Sequence, residues 1–514
     1  MVITIRVGGR KPVLLTALVW LPALLLPAPQ AGATAWLVTP SVRLRESYTD
    51  NANLAPAGQQ QSDLVTELAP AVTLTGRGPR LTLDLRYALH QVQHTRGGNG
   101  LDHSLAAAAH LIVAEDWFYV DGRSAITLRN VSAFGPQADD YTVRSDNQRT
   151  VRSTSISPYL RHRFPGLVSA GLRYTHEAVS SGALFDSRSD QLRADISGDS
   201  DGRGLGWELS GSRSRSTDSA SAETVTASRT ELALHYPLGH AWMAFANGGY
   251  ENQGYTSTSA APQGRFWMAG LGWQPTPRSS LTVSAGRRFF GSTYALSASQ
   301  HSRRALWTLS YNESISNTRA DLLHLSDQDS ATLLDQLLRD RIPDQQVRQQ
   351  RIQNFLLYSQ SLGGDAAVIN YFSHRYYLQR QWLATVAAVG RRSTLVLTGT
   401  MSRRTAQTAS TIDSTLLGVA NLALQDSTRQ AGASAGWNWQ LTAGSSLNLG
   451  ASRTTIDALA TGRSDRNTTL NAGLSRTLQS RLTGSVELSL NQHHSNTGAN
   501  YRERRISAAL NWQL

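Results

Sequence analysis

Histidine and aspartate pairs are the residues of this sequence whose spacing could support metal chemistry. His493 and His494 are adjacent, and Asp139-Asp140 and Asp199 with Asp201 offer oxygen ligands of the kind that calcium prefers. Adjacent residues of a strand point to opposite faces, so the two histidines cannot ligate one ion from a strand. The acids occur in polar, loop-like sequence, where solvated carboxylates are the simpler interpretation. We therefore predict no metal site and no cofactor.

Catalytic motifs give no selective signal either. The sequence contains no His-Glu-x-x-His and no phosphate-binding loop, and it has no cysteine that could act as a nucleophile or form a disulfide. Serine, histidine and acidic residues are abundant, but their spacing selects no triad. We expect a protein that is not an enzyme. The alternative is an enzyme that acts on lipid or polysaccharide at a membrane-embedded rim.

The last residues form an alternating pattern that continues to the end of the sequence. The apolar members of this pattern are Ile506, Ala508, Leu510, Trp512 and Leu514. The closing strand of an outer-membrane barrel shows apolar groups to lipid and polar groups to the lumen, which produces this pattern. We therefore predict a closing strand, read by the barrel-assembly machinery.

The first residues have the composition of a secretory signal peptide. Arg6, Arg10 and Lys11 precede the apolar run 13–26, and Ala33-Thr34-Ala35 is a small-residue cleavage site. The apolar run is too short for a membrane-spanning helix. We predict a signal peptide over 1–35, cleavage after Ala35, and an exported barrel over 36–514 located in the cell outer membrane.

The charge balance narrows the possible partners. The sequence has 49 basic and 37 acidic residues; removing the three basic residues of the signal peptide leaves 46 against 37, or +9. The arginines are spread along strands rather than clustered, so we expect no nucleic-acid partner. Outer-membrane lipid and anionic lipopolysaccharide are the expected neighbours of such an exported chain, with exopolysaccharide or its export components as further candidates.

Period-2 alternation recurs through most of the chain and predicts an all-β fold. Tight turns centre on the following positions: Gly78, Asp116, Pro165, Gly202, Pro237, Thr276, Arg392, Ala443 and Ser480. Longer polar stretches lie between them, and aromatic residues crowd the turns. Short turns alternating with long loops are typical of a large antiparallel transmembrane β-barrel, and counting hairpins gives roughly 20 to 22 strands, an even number.

Strand parity also predicts which charged side chains face the lumen. The candidates for the lumen face are Asp84, Arg86, Arg173, Arg193, Glu208 and Arg213. A positive lumen would concentrate anionic solutes. Ion pairing between inward arginines and inward acids is the equally weighted alternative.

One region, 326–358, interrupts the strand pattern with helical sequence. Four leucines recur at helical spacing after Asp329 and Ser330, which are candidate N-cap residues. Pro343 separates this stretch from a second apolar stripe. An amphipathic helix cannot form part of a barrel wall, because the wall backbone must pair strand to strand. The segment could fill the lumen, lie in the periplasm against a partner, or cap an outer loop; a plug or a periplasmic insertion fits best.

Three stretches resemble one family. They are 46–56 (ESYTDNANLAP), 62–70 (SDLVTELAP) and 338–344 (LRDRIPD). With the overall length, they make the chain similar to the PEP-CTERM system-associated outer-membrane proteins. The resemblance implies a barrel in bacteria that make exopolysaccharide, a role in envelope or polysaccharide traffic as a channel or as an export or structural component, and no catalytic residues.

Overall fold

The computed structural model describes residues 34–514 except for 139, 144, 167, 183, 199–203, 219–223, 259–260, 325–371, 409–423, 425 and 499. The predicted signal peptide lies outside these residues apart from its last two positions, and the predicted helical segment 326–358 lies wholly outside them. No helix in this part of the chain is long and apolar enough to cross a membrane.

Twenty-two strands and one short helix make up the described structure. In chain order they are β1 Ala35–Thr49, β2 Asp63–Arg77, β3 Leu81–His94, β4 Gly100–Ala114, β5 Phe118–Asn130, β6 Gln148–Arg163, β7 Ser169–Ser180, β8 Asp186–Gly198, β9 Gly206–Asp218, β10 Thr224–Pro237, β11 Trp242–Asn252, β12 Gln263–Thr276, β13 Ser279–Arg288, β14 Gly291–His301, β15 Ala305–Ser316, α1 Thr318–His324, β16 Tyr377–Val389, β17 Ser393–Ala406, β18 Ser427–Thr442, β19 Ser445–Ala458, β20 Arg463–Gln479, β21 Leu482–Ser495 and β22 Tyr501–Gln513.

The strands form one closed antiparallel barrel. Each strand pairs with its neighbour in sequence, and β1 also pairs with β22, from Ser41 opposite Gln513 to Thr49 opposite Arg505. Closure leaves no strand edge unpaired, which a sheet inside a membrane requires. The prediction of a large antiparallel barrel is confirmed, at the upper end of the predicted strand count.

The two faces of the wall differ as alternation predicts. On β22, Ile506, Leu510, Trp512 and Leu514 are exposed on the outside, while Glu503, Arg505 and Ser507 are buried on the inside. The outer aromatics Trp242, Trp273 and Trp439 lie at the ends of their strands beside short turns. An outer apolar face bordered by aromatic residues and a polar inner face are the features of a transmembrane barrel.

The two ends of the barrel also differ. Both ends of the described chain lie at the end with short turns, such as the one at Asp116, a non-glycine residue with φ 62°. One short turn, at 302–304, was not predicted. The longest connections occupy the opposite end, which we call the loop end, although only two residues join β13 to β14 there. The chain enters and leaves 325–371 there, between β15 and β16.

Candidate functional site

The lumen is filled at the loop end by segments that leave the wall and turn inward. The main ones are the loop 131–147 between β5 and β6, named here the inner loop, and the pieces 317–324 and 372–376 on either side of the β15–β16 insertion, named here the return segments. Each contacts strands far from its own attachment. Together they make the mouth of the barrel the candidate functional site.

An ion pair network ties the inner loop to the opposite wall. Asp140 accepts hydrogen bonds from Arg45 of β1 at 2.7 Å and from Arg505 of β22 at 3.2 Å, although β22 lies five strands away from β5. Arg45 is four residues below the end of β1, or about 13 Å along the strand. The inner loop therefore lies inside the lumen rather than over its rim.

Electrostatics favour a charged Asp140 at this position. Burial by itself would raise the pKa of the carboxyl, but Arg505 and Arg45 outweigh it and hold the pKa well below its ordinary value of 3.8. The neighbouring Tyr141 stacks on His90 with 4.0 Å between ring centroids, and burial raises its pKa to about 12. Near neutral pH, Asp140 is therefore ionised and anchors the inner loop through its ion pairs, whereas Tyr141 is neutral and packs on His90.

The inner loop makes further contacts with the wall at β19, β20 and β22. The Gln137 amide donates to the Tyr501 hydroxyl at 3.0 Å, and the Gly135 amide donates to Asp465 at 3.1 Å. Phe134 packs against Ile456 in a buried cluster. Because these strands are distant from β5 and β6 around the wall, the inner loop spans the lumen.

The return segments pack against the side of the lumen formed by β5 to β9. Leu322 and Phe372 join a buried cluster with four residues of that side: Val131, Val151, Val179 and Phe185. The Phe372 amide donates to the carbonyl of Val131 at 3.0 Å, which joins the return segments to the inner loop. The mouth is therefore one connected layer.

Three charged contacts fix the return segments. Arg319 binds Glu177 of β7, His374 contacts Asp218 of β9 at 2.5 Å, and Arg404 of β17 binds Asp321 at 2.6 Å. Both arginine side chains are nearly buried, and buried ion pairs of this kind are costly to break from one side. The insertion between β15 and β16 therefore begins and ends inside a well-anchored layer.

The predicted lumen residues lie lower in the barrel, and five of them share the inner face. Asp84 pairs with Arg77 at 2.8 Å, and Arg86 lies on the same face of β3. Arg173 pairs with Asp121 at 2.9 Å, and Arg193 with Glu208 at 3.5 Å. These pairs match the ion-pairing alternative rather than an unpaired positive lumen.

Arg213 departs from the prediction. It is directly opposite Leu192, which is exposed on the outer face, and it shares that face of β9 with Leu209. Arg213 is five positions after Glu208, and because five is odd a regular strand must place the two side chains on opposite faces. The prediction that both residues face the lumen was therefore inconsistent with the alternation of a regular strand.

The possible metal ligands lie apart from one another. His493 is buried on the lumen side and contacts Asn467 at 2.6 Å, whereas His494 is exposed on the outside, so the predicted opposite orientation is confirmed. Asp140 is committed to two arginines. In the part of the chain that the structure describes, no three histidine or acidic side chains group as ligands for a metal ion; Asp139, Asp199 and Asp201 lie outside it.

One catalytic spacing occurs in the sequence but has no matching structure. Gly432-Ala433-Ser434-Ala435-Gly436 fits the Gly-x-Ser-x-Gly pattern, whose serine is reactive when it sits on a sharp strand-to-helix turn. Here the five residues lie within the regular strand β18, and Ser434 is paired with Thr398 and Ser452. Ser434 is an ordinary wall residue.

Comparison with known proteins adds architectural neighbours only. No family model matches the chain, and no curated protein matches it. Among solved structures, the siderophore receptor PirA from Pseudomonas aeruginosa covers 92% of this chain and 80% of its own, with 7% identity and a TM-score of 0.44. The FrpB iron transporter from Neisseria meningitidis covers 93% and 81%, with 9% identity and a TM-score of 0.47.

A third structure in this group is the outer membrane protein opdK from Pseudomonas aeruginosa. It covers 93% of this chain and 99% of its own, with 8% identity and a TM-score of 0.34. At these sequence identities and TM-scores, the similarity is limited to the general architecture of the three structures. The fold itself rests on the strand pairing described above: a closed 22-stranded antiparallel barrel with an apolar outside and a polar inside.

Proposed function

We propose that this protein is a gated conduit of the outer membrane, serving the export or traffic of exopolysaccharide in an envelope system of the PEP-CTERM type. The observation that carries the proposal is the contrast within the lumen. A layer of inward segments, fixed by ion pairs, lies across the loop end, while charged wall residues below it, such as Asp84 and Arg193, remain exposed. A lumen that is wet below and closed above by inward segments is what a gate requires.

The gate consists of the inner loop and the return segments. These segments are held by a small number of buried ion pairs, of which those of Asp140 and Arg319 are the strongest candidates for release. We propose that 326–358, which is predicted from the sequence to be helical and lies outside the described residues, adds to the plug from the same side. Its attachment at the loop end, opposite both ends of the described chain, supports this over a periplasmic position.

Planar-bilayer recording tests the gate. The double variant Asp140→Ala/Arg319→Ala removes one ion-paired side chain from the inner loop and one from the return segments. We expect channel openings of higher conductance and higher frequency than in the unmodified protein. Asp84→Ala is the matched control, because it removes a lumen acid from an exposed pair without touching the layer. Equal conductance in all three proteins would refute the gate.

The polysaccharide assignment has a separate test. It is supported by the family resemblance of 46–56, 62–70 and 338–344. We expect a deletion strain to lose surface exopolysaccharide and a strain expressing the unmodified chain to recover it. The polysaccharide assignment would be wrong if the deletion strain had as much surface exopolysaccharide as the parent strain. The proposal of a conduit would stand if the protein were still found in the outer-membrane fraction as a heat-modifiable band.

A further inference from the structure

An unusual set of arginines lies on the outer face of the wall near the loop end. It comprises Arg380, Arg403, Arg429, Arg453 and Arg466, one on each strand from β16 to β20. We name it the outer arginine patch. Alternation fixes its orientation: Ser402 and Arg404 are buried on the lumen side, so Arg403 between them points outward together with Met401.

Three of these arginines are direct cross-strand neighbours. Arg380 is opposite Arg403, and Arg403 is opposite Arg429. Like charges in this relation lie with their Cβ atoms about 5 Å apart and destabilise a sheet. A row of this kind inside a wall that otherwise alternates regularly indicates that an outside anion compensates it.

Acidic residues of the wall do not neutralise the patch. Glu313 lies 3.4 Å from Arg380 at one end of the row, and Asp457, opposite Arg429 at the other end, accepts a hydrogen bond from Ser464. Among the described residues, no acidic side chain forms an ion pair with Arg403. Five arginines against two acids leave the patch strongly positive.

The level of Arg380, Arg403 and Arg429 coincides with the edge of the apolar belt. Arg453 lies further from the loop end, opposite Ala433. Below Arg429 the outward residues of β18 are the apolar Ala431, Ala433, Ala435, Trp437 and Trp439. Trp439 is ten positions after Arg429, which corresponds to about 33 Å along the strand. A tilt of about 40° reduces this to about 25 Å, the height of the apolar band of such barrels. The row therefore lies at head-group depth on the loop side.

We propose that the outer arginine patch binds the phosphate groups of lipid A, the membrane anchor of lipopolysaccharide, in the leaflet at the loop end. Guanidinium groups match phosphate in charge and in bidentate geometry. Neighbouring arginines spaced by one strand suit a head group with two phosphates better than a single phosphodiester. Lipid A binding requires the outer-membrane location that the proposed function also assumes. It does not require that the barrel act as a conduit.

Native mass spectrometry of the full-length barrel in mild detergent tests the proposal, with purified lipid A, monophosphoryl lipid A and phosphatidylglycerol as probes. For Arg403→Ala/Arg429→Ala we expect lipid A binding to weaken about tenfold or more, since two charge-assisted contacts are lost. The matched control is Arg278→Ala/Arg476→Ala, which removes two exposed arginines at the short-turn end. The control should bind lipid A as the unmodified protein does.

Two results would overturn the assignment: equal lipid A binding by Arg403→Ala/Arg429→Ala and the unmodified barrel, or binding of phosphatidylglycerol as tight as that of lipid A. Arg403→Lys/Arg429→Lys covers the case in which the alanine variant does not assemble. It keeps the charge but loses bidentate geometry, so we expect intermediate binding, and full binding would exclude a guanidinium-specific site. Conductance of the same samples reports on the gate separately.

Discussion

The two halves of the lumen are built on the same strands and yet differ in how their side chains are used. Near the loop end, inward residues such as Glu67, Asp63 and Glu503 are buried and hydrogen-bonded to histidine or threonine side chains. Near the short turns, inward Arg193 and Asp84 remain more than half exposed and form only surface-like pairs.

This difference comes from the loops and not from the wall. Alternation places polar residues inward along the whole length of each strand. Among the residues that the structure describes, segments from distant strands cover them only at the loop end. A polar side chain that is both buried and hydrogen-bonded is held in one conformation. A polar side chain that water reaches forms only weak ion pairs and can change its conformation.

Removing the insertion should have the largest effect. Deleting 327–358 and bridging the cut with a short Gly/Ser linker leaves Leu322 and Phe372 in place. Because the strand ladder passes directly from β15 to β16, we expect the barrel to assemble and planar-bilayer conductance to rise many-fold if the segment fills the lumen. Unchanged conductance with failed polysaccharide export would assign it to docking, and loss of assembly would show that it contributes to the wall.

A charge on the outer face should destabilise the barrel strongly. Leu488 lies near the middle of β21 and is exposed to the outside, so Leu488→Arg is expected to cost about 2–4 kcal/mol at mid-membrane depth. Denaturant titration from lipid vesicles measures this change. Ser485→Arg on the lumen face of the same strand is the control and should unfold close to the unmodified protein; equal losses would show that the two faces are misassigned.

Breaking the tie of the inner loop should have a smaller, local effect. Asp140→Asn keeps the shape but removes the charge that faces Arg45 and Arg505, and we expect a loss of about 1.5–3 kcal/mol in the free energy of opening the loop. Hydrogen exchange of the Gln137 and Thr142 amides reports this opening. Exchange as slow as in the unmodified chain would mean that the apolar cluster around Phe134, and not the ion pair, holds the loop.

Acid should weaken the same tie only at low pH. The folded-state pKa of Asp140 lies below its ordinary 3.8, so the stabilisation is complete above about that value and declines as the pH falls towards the folded-state pKa. We expect conductance to be constant between about pH 7 and 5 and to increase below about pH 4. A transition near pH 6 would contradict this and indicate a histidine.

The lower lumen should respond least. Glu208→Gln removes one partner of an exposed pair with Arg193, and such pairs contribute about 0–1 kcal/mol. We expect no measurable change in unfolding and a small shift of ion selectivity towards anions in reversal-potential measurements. A destabilisation as large as that of Asp140→Asn would mean that the lower lumen is packed like the mouth.

Much of the wall was predictable because alternation is a local property. The closing strand from Ile506 to Leu514, the short turns and the even strand number follow from period-2 spacing and turn residues. The structure confirms the strand number, the pairing of the closing strand and the predicted turns that lie within the described residues; the turn at Gly202 lies outside them. The same rule, applied strictly from Glu208 to Arg213, would have placed Arg213 outside. That error came from assigning a face by charge instead of by counting along β9.

The mouth was not predictable in the same way. The inner loop has no periodicity, and nothing in the spacing of Asp140 shows that Arg45 and Arg505, 95 and 365 residues away in sequence, would meet it. These contacts exist only because closure of the barrel brings β1 and β22 together and because the loop turns inward. The outer arginine patch is equally hidden, since its residues become neighbours only through the register of β16 to β20.

Local sequence patterns are sufficient to predict the two faces of the wall, the turns and the closing strand. Each of these features depends on residues a few positions apart and on whether a side chain faces water or lipid. Tertiary structure alone decided which polar residues became buried and tied, and which cations became neighbours on the outside. Pairing across a closed barrel joins residues hundreds of positions apart, and the burial of Asp140, unlike its position in a loop, is a consequence of that closure.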